Sequence, residues 1–564
     1  MDSTHLLNLH LVHKALEYCG IDSSRLSGLN LQLILIAMST LVIAINAIKY
    51  STKEKQSRAP VVGYRTFIEP TFVLRGRFFQ GARQIVTDGY NKFKDGMFWI
   101  RRNDTDLLVI STKYVDELRG LPESKASPIQ AHIRVGKPFL NFNDLSCRIN
   151  KNLAGKHSTT DLFLESNLHT RVLQNRLTPN LGKLFPTIKE ELDYGMARDL
   201  PTMGYPLTQP LSDDESFVEL DTYKTMLRII ARISARMFVG LPLCRDEEWL
   251  HITEHYTEDV FTTVMLLRML PKFLHSLAVW LLPSSYRVHR NLRRAKQIIG
   301  PIVKERRNIQ SQAMQSGEER NDTLQWMMDA ATEDEGKPEK LAHRQLIMTL
   351  GAVHTTTMAV AHALFDLCAY PEYFGTLREE VDRFYNTEQA WDKSDLTRLV
   401  KLDSFCKESQ RFNPPAIFAF NRVAMESLQL SDGITIPKGT HFVVPSINAL
   451  MDPAIIPDPN KFDPLRYYRK RLEPEEANRH QYTMTTNTEL HFGHGRFSCP
   501  GRFFAAVEMK LILSHLLRHY ELMLPPGRER PVNQVADDNI FPDVNAVLLM
   551  RRRQGVQEMR SEGV

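Results

Sequence analysis

Ten residues near the C-terminus, Phe492-Gly-His-Gly-Arg-Phe-Ser-Cys499-Pro-Gly501, constrain this 564-residue chain more than any other stretch. Gly493 and Gly495 permit a tight loop whose backbone can approach a flat ligand closely. After Gly501 the segment RFFAAVEMKLILSHLL reads as a long amphipathic helix. A thiolate just ahead of a helix N-terminus is favoured by the unpaired N–H groups and the dipole there. Backbone donors to such a sulfur tune how strongly it pushes electron density onto a metal. Phe492, ahead of the loop, supplies an apolar cover between the sulfur and water. A lone cysteine is most often a buried free thiol. This order of Phe, two glycines, Cys, Pro and Gly points instead to a metal ligand, Cys499.

The other cysteines (Cys19, Cys147, Cys244, Cys368, Cys406) are scattered singly with no CxxC pair, so neither a zinc site nor an iron–sulfur cluster is expected. Nor is there a disulfide framework, which suits a protein whose bulk faces the reducing cytosol. A net charge of +5, partly from clusters such as Arg551 to Arg553, gives no sign of nucleic-acid binding. No GxGxxG follows a strand and no P-loop occurs, so the chain carries no nucleotide-binding module of its own.

Between Arg25 and Lys49 lie 23 residues without a formal charge, ending LQLILIAMSTLVIAINAI. About 20 mostly apolar residues span a bilayer as a helix. The flank that follows carries Lys49, Lys53, Lys55 and Arg58 against Glu54. By the positive-inside rule the bulk of the protein then lies on the cytoplasmic side. A cleaved signal peptide fits less well, because a polar leader precedes the apolar run. The division is a leader over 1–30, a transmembrane anchor over 31–48, a basic flank and hinge over 49–60, and a catalytic domain over 61–564.

The body reads as mainly α with a small β-sheet (α+β). Apolar residues recur at helical spacing in 222–239, 339–370 and 503–518. Strand signals sit in two places, 105–110 and 426–445, the latter divided by SDG and PKG turns. SGEERND at 316–322 reads as a loop, and EDEGKPEK at 333–340 leads into the next helix. Glu408 and Arg411 stand three apart on one helix face. As a bare pair they are usually a solvated bridge of little energy. Three consecutive threonines, Thr355 to Thr357, sit inside a helical pattern after Gly351 and His354, where threonine is mildly unfavourable. Back-bonding to helix carbonyls accounts for Thr356 and Thr357.

The cysteine segment resembles the haem-binding loop of the cytochrome P-450 family, F-G-x-G-x-x-x-C-x-G, and is most like fungal members, in which C-P-G-R-F-F-A follows as here. The resemblance implies the family fold, preceded here by one N-terminal transmembrane helix. It implies haem b, with Cys499 on the iron and Phe492, Gly493, Gly495, Arg496 and Gly501 shaping the cofactor loop. One departure stands out. The family usually carries Arg or His two residues before the cysteine, bonding a haem propionate; here that place holds Phe497, and Arg496 comes one position earlier. Glu408 and Arg411 look like the family's E-x-x-R helix, and Arg466 in FDPLRY looks like its second arginine. Together they imply a buried structural Glu–Arg–Arg cluster. The helix with Thr355 is similar to the family's distal helix. Thr355 then takes the oxygen-side alcohol position and His354 the usual acid position, a catalytic pair for proton relay. Arg422 sits where the family often supplies a propionate contact. Arg171 and Arg176 are two candidates from the helix that usually contributes a Trp and an Arg, though the Trp is absent.

The resemblance also implies a haem-thiolate monooxygenase using dioxygen and electrons from a separate NADPH-dependent flavoprotein reductase, so that NADPH acts only indirectly. The expected site is the endoplasmic reticulum membrane, single-pass, with a cytosolic catalytic domain. A pocket lined by 125–165, the helix near Ala352 and the run Pro415 to Phe420, closed by Phe541-Pro542, suits a lipophilic substrate. Similarity to fungal members suggests secondary metabolism, with terpenoid, indole-diterpene or meroterpenoid substrates. Two other readings stand beside it: a reductase-independent haem-thiolate isomerase, and a non-catalytic haem-binding membrane protein.

Overall fold

The computed structural model describes residues 59–103, 105–133, 159–200, 217–270, 274–312, 320–385 and 392–554. The leader, the anchor segment 31–48, nearly all of the 49–60 flank and most of the expected pocket segment lie outside the described residues.

Helices dominate what is described. They include α1 (Thr71–Phe93), α2 (Thr178–Asp199), α3 (Thr222–Phe238), α4 (Glu247–Met269), α5 (Pro283–Gln312), α6 (Pro338–Ala369), α7 (Tyr373–Tyr385), α8 (Val400–Phe412) and α9 (Arg502–His519). Their ends follow local chemistry. The Asp221 carboxylate accepts the Lys224 N–H at 3.2 Å to start α3, and Asp246 accepts that of Trp249 at 2.8 Å to start α4. Pro338 opens α6 where its missing N–H costs nothing. Helix α6 is apolar on nearly every face, and its contacts with α3, α4, α5, α8 and α9 make it the axis of the protein. By length and composition it could cross a membrane, but two-thirds (67%) of its apolar window is buried inside the protein, so it belongs to the core. That core runs continuously from Leu168 through Ile230, Leu364 and Phe405 to Leu513.

A five-stranded sheet packs beside the helices. Its strands are β1 (Met97–Arg101), β2 (Asp106–Ile110), β3 (Ala126–Ser127), β5 (Ala419–Ala424) and β6 (His441–Val444), in the order β1-β2-β6-β5-β3. The β2–β6 pair is parallel, with Leu108 beside Phe442, and the others are antiparallel. A second sheet joins β4 (Val218–Asp221), β8 (Val547–Arg552) and β7 (Tyr520–Met523) in that order. It corrects the sequence reading, which located strands in only two places. Within VELD, Leu220 alone is buried, and its partner Leu548 lies more than three hundred residues away. Strand formation there depends on packing that a local pattern does not carry. The 426–445 region forms the Leu428–Gln429 and Thr435–Ile436 hairpin before β6. A last hairpin, Gln534–Ala536 with Asn539–Phe541, docks on the segment after α8: Ile417 N donates to Asp538 O at 2.8 Å, and Ile540 N to Pro415 O at 3.1 Å. The pocket run and the Phe541 turn therefore meet.

Candidate active site

The cysteine loop is closed by its own backbone. The Cys499 N–H donates to the Phe492 carbonyl at 2.7 Å, and between them Gly493 (φ +66°) and Gly495 (φ +72°) take the left-handed conformation that favours glycine. Gly495 also needs its missing side chain. A Cβ there would stand 2.6 Å from the Arg119 Cβ and 2.7 Å from the Arg119 carbonyl oxygen. Arg496 N donates to that same carbonyl at 3.2 Å, anchoring the loop to the turn after β2. His494 is held by Thr485 Oγ1 at 2.9 Å and by Arg119 at 3.4 Å. None of these loop partners was foreseen, because Arg119 is distant in sequence and carries no motif.

Gly501 then begins α9, and Arg502 locks the junction by donating to the Cys499 carbonyl at 2.9 Å and to Ser498 Oγ at 3.3 Å. Enclosure by protein raises the Cys499 thiol pKa. The backbone N–H groups of Gly501 and Arg502, with the Arg502 charge, pull against it by facing the sulfur. Cys499 nevertheless keeps accessible surface. A group enclosed yet accessible lines an internal cavity. Phe492 makes an edge contact with Tyr482, ring centroids 5.4 Å apart, on the flank of the loop. Thr178, at the start of α2, reaches the Pro500 carbonyl at 3.5 Å.

Behind the loop the structure brings Glu408, Arg411 and Arg466 together. Arg411 donates twice to Glu408, at 2.8 and 2.7 Å, and Arg466 Nε reaches the same carboxylate at 3.3 Å. Further guanidinium protons go to carbonyls: Arg411 to Leu450, Pro459 and Lys461, Arg466 to Pro457, Asp458 and Lys461. All three side chains are buried, so this is no surface bridge. A satisfied buried network of this kind specifies one arrangement of its loop.

On α6, Gly351 and Thr355 are accessible while Val353, His354, Thr356 and Thr357 are buried. Four residues apart, they share a face, and that face of a core helix opens on a cavity. Thr355 Oγ1 donates to the Gly351 carbonyl at 2.8 Å, and Thr357 back-bonds to Val353 at 2.8 Å. His354 points elsewhere. Its Nε2 meets the Glu254 carbonyl at 2.7 Å and its Nδ1 the Tyr223 hydroxyl at 3.0 Å, and burial lowers its pKa. Both ring nitrogens are therefore occupied by α3 and α4, away from the threonine face.

The arginines divide. Arg171 pairs with Glu335 at 3.2 Å, with about half its side chain (47%) exposed, and Arg176 is exposed. The Arg496 side chain is exposed too. Arg422 is the buried one. Its guanidinium lies against two rings, 4.5 Å from the Phe420 centroid and 5.1 Å from that of Phe497, and it donates to the Asn421 carbonyl at 2.7 Å. Among the described residues no carboxylate pairs with it, and burial lowers its pKa to about 10. A buried cation without an anion, at the edge of the cysteine loop, fits a cofactor that brings its own carboxylates. These residues could hold a haem: Cys499 by sulfur and Arg422 by charge, with the accessible Gly351–Thr355 face of α6 as a further candidate surface.

Residues 143–548 match the family described as Cytochrome P450. The chain is 50% identical over 520 residues to the cytochrome P450 monooxygenase AN1598 of Emericella nidulans, covering 92% of each chain. It is 41% identical to the ent-kaurene oxidase P450-4 of Gibberella fujikuroi, over 88% of this chain and 93% of that one. Among solved structures, retinoic acid bound cyanobacterial CYP120A1 matches with a TM-score of 0.58 at 19% identity, covering 85% of this chain and 96% of that one, a likeness of fold. The chain belongs to the cytochrome P450 family, as a monooxygenase that binds haem iron and takes electrons from NADPH through a reductase.

Proposed function

We propose that this enzyme hydroxylates or otherwise oxidises a lipophilic terpenoid, with Cys499 as the iron ligand and Thr355 as the oxygen-side alcohol. The observation that carries the reading is the cysteine loop: a glycine-built turn aims Cys499 at the N-terminus of α9, where two backbone N–H groups face its sulfur. When bound, a thiolate-ligated haem activates dioxygen for insertion into C–H bonds. The chain's own residues do the rest. Gly493 and Gly495 leave the loop backbone room to approach a bound haem closely, and Arg422, held beside Phe420 and Phe497, would bind a propionate. Thr355 holds and passes a proton at its Oγ1. Pro415 to Phe418, braced by the 534–541 hairpin, form an apolar wall that orients the substrate and excludes water.

Fungal relatives named as ent-kaurene oxidases, 40 to 41% identical, support a polycyclic terpenoid substrate and a role in secondary metabolism. Residues 31–48 anchor the enzyme in the endoplasmic reticulum membrane, with the body from residue 61 in the cytosol beside its reductase. Exposed Phe67 and Phe72, just beyond the hinge, and exposed Trp280 and Leu281 give it further apolar surface for lipid contact. The test is expression in yeast microsomes with a reductase and a panel of diterpenes, indole diterpenes and meroterpenoids. NADPH-dependent products with one added oxygen support the reading. Turnover that needs no reductase, or products only from non-terpenoid lipids, would overturn it.

A further inference from the structure

The His354 ring fixes its own hydrogen-bond pattern. Nε2 faces a carbonyl, which can only accept, so in the neutral ring Nε2 carries the proton and Nδ1 is the acceptor. The Tyr223 hydroxyl, 3.0 Å from Nδ1, is therefore the donor. Tyr223 is itself well placed to be rigid. It is the second residue of α3, whose start is capped by Asp221, and Asp221 is held in register with Val547 in the second sheet. One imidazole thus ties the middle of α6 to α3 on one nitrogen and to the α4 backbone on the other.

The turn it holds is locally weak. Gly351 contributes no side chain to packing, and Thr355 spends its hydroxyl on the Gly351 carbonyl, a back-bond that tends to bend helices. Rotation of this turn by a fraction of a residue would carry Thr355 off the cavity face. We propose that Tyr223 is a positioning residue for the oxygen-side turn: its hydroxyl holds His354 as a neutral crossbrace, and the crossbrace holds Thr355 toward the cavity. This rests on the role given to Thr355 above.

Four full-length variants, Tyr223→Phe, His354→Gln, the double variant and Thr355→Ala, test it in reconstituted microsomes. The readouts are the carbon-monoxide difference spectrum, KM, and product and hydrogen peroxide per NADPH consumed. The expected result is that Tyr223→Phe keeps the wild-type spectrum and KM but loses about ten-fold in product per NADPH, with peroxide rising to match. The double variant is then no worse than His354→Gln alone. Wild-type product yield in Tyr223→Phe, beside a Thr355→Ala that leaks peroxide, overturns the crossbrace and leaves the threonine reading intact. Additive losses in the double variant, or loss of the spectrum in Tyr223→Phe, also overturn it. A Thr355→Ala enzyme with wild-type yield overturns the threonine reading and the crossbrace with it.

Discussion

The N–H of Cys499 donates to the carbonyl of Phe492 at 2.7 Å, so the residue proposed to bind iron is fixed by a bond across its own loop. Cys499→Ala leaves that backbone bond in place and removes only the sulfur. The reduced, carbon-monoxide-bound protein is expected to lose its strongly red-shifted Soret band while circular dichroism stays near wild type. Retention of the band would reassign the ligand.

Gly495→Ala introduces a Cβ at φ +72°, 2.6 Å from the Arg119 side chain and 2.7 Å from its carbonyl oxygen. Backbone strain and the clash together cost about 2 kcal/mol or more. Haem content per purified protein should drop sharply. Gly182→Ala, in α2 and away from the loop, whose Cβ would meet nothing within 4 Å, serves as the tolerated control.

Arg411→Ala removes two of the hydrogen bonds to Glu408 and leaves a fully buried carboxylate with only Arg466 and the Asp463 N–H. Breaking a buried pair in this way costs about 3–5 kcal/mol. The denaturation midpoint should fall accordingly, and Arg411→Lys should recover little, since lysine cannot donate in the same two-pronged geometry.

Thr355→Ala removes a hydroxyl from an accessible face and opens no buried cavity. Thermal stability is expected to stay within about 0.5 kcal/mol of wild type. Product per NADPH should fall about ten-fold or more, with hydrogen peroxide appearing in its place, and Thr355→Ser should recover much of it.

Stability should also depend on acid. Burial and the nearby Arg344 hold the His169 pKa at about 4, and burial with Arg530 lowers that of His362 further. Unfolding restores both imidazoles to about 6.5. Between about pH 6.5 and 4 the unfolded chain binds more protons than the folded one, so stability falls as pH is lowered through that window. Melting curves at pH 7.5, 6.5 and 5.5 measure it. His169→Gln should flatten the slope.

Elements whose signals are local could be read from the order of residues alone. The loop from Phe492 to Gly501, the helix after it, the E-x-x-R helix and α6 were legible because periodicity and glycine placement act over a few residues. The partners of those elements were decided by tertiary structure. Nothing near Gly495 announces Arg119, and nothing near Val218 announces Leu548, because such pairs form only when packing brings distant segments together. The same holds for side-chain direction. Thr355 and His354 are neighbours in sequence, yet a step of about 100° round the helix sends one toward the cavity and the other to Tyr223 and Glu254. The arginines divided for a similar reason. Family position already favoured Arg422, and burial beside Phe420 and Phe497, with no carboxylate pairing with it among the described residues, is what separates it from the exposed arginines.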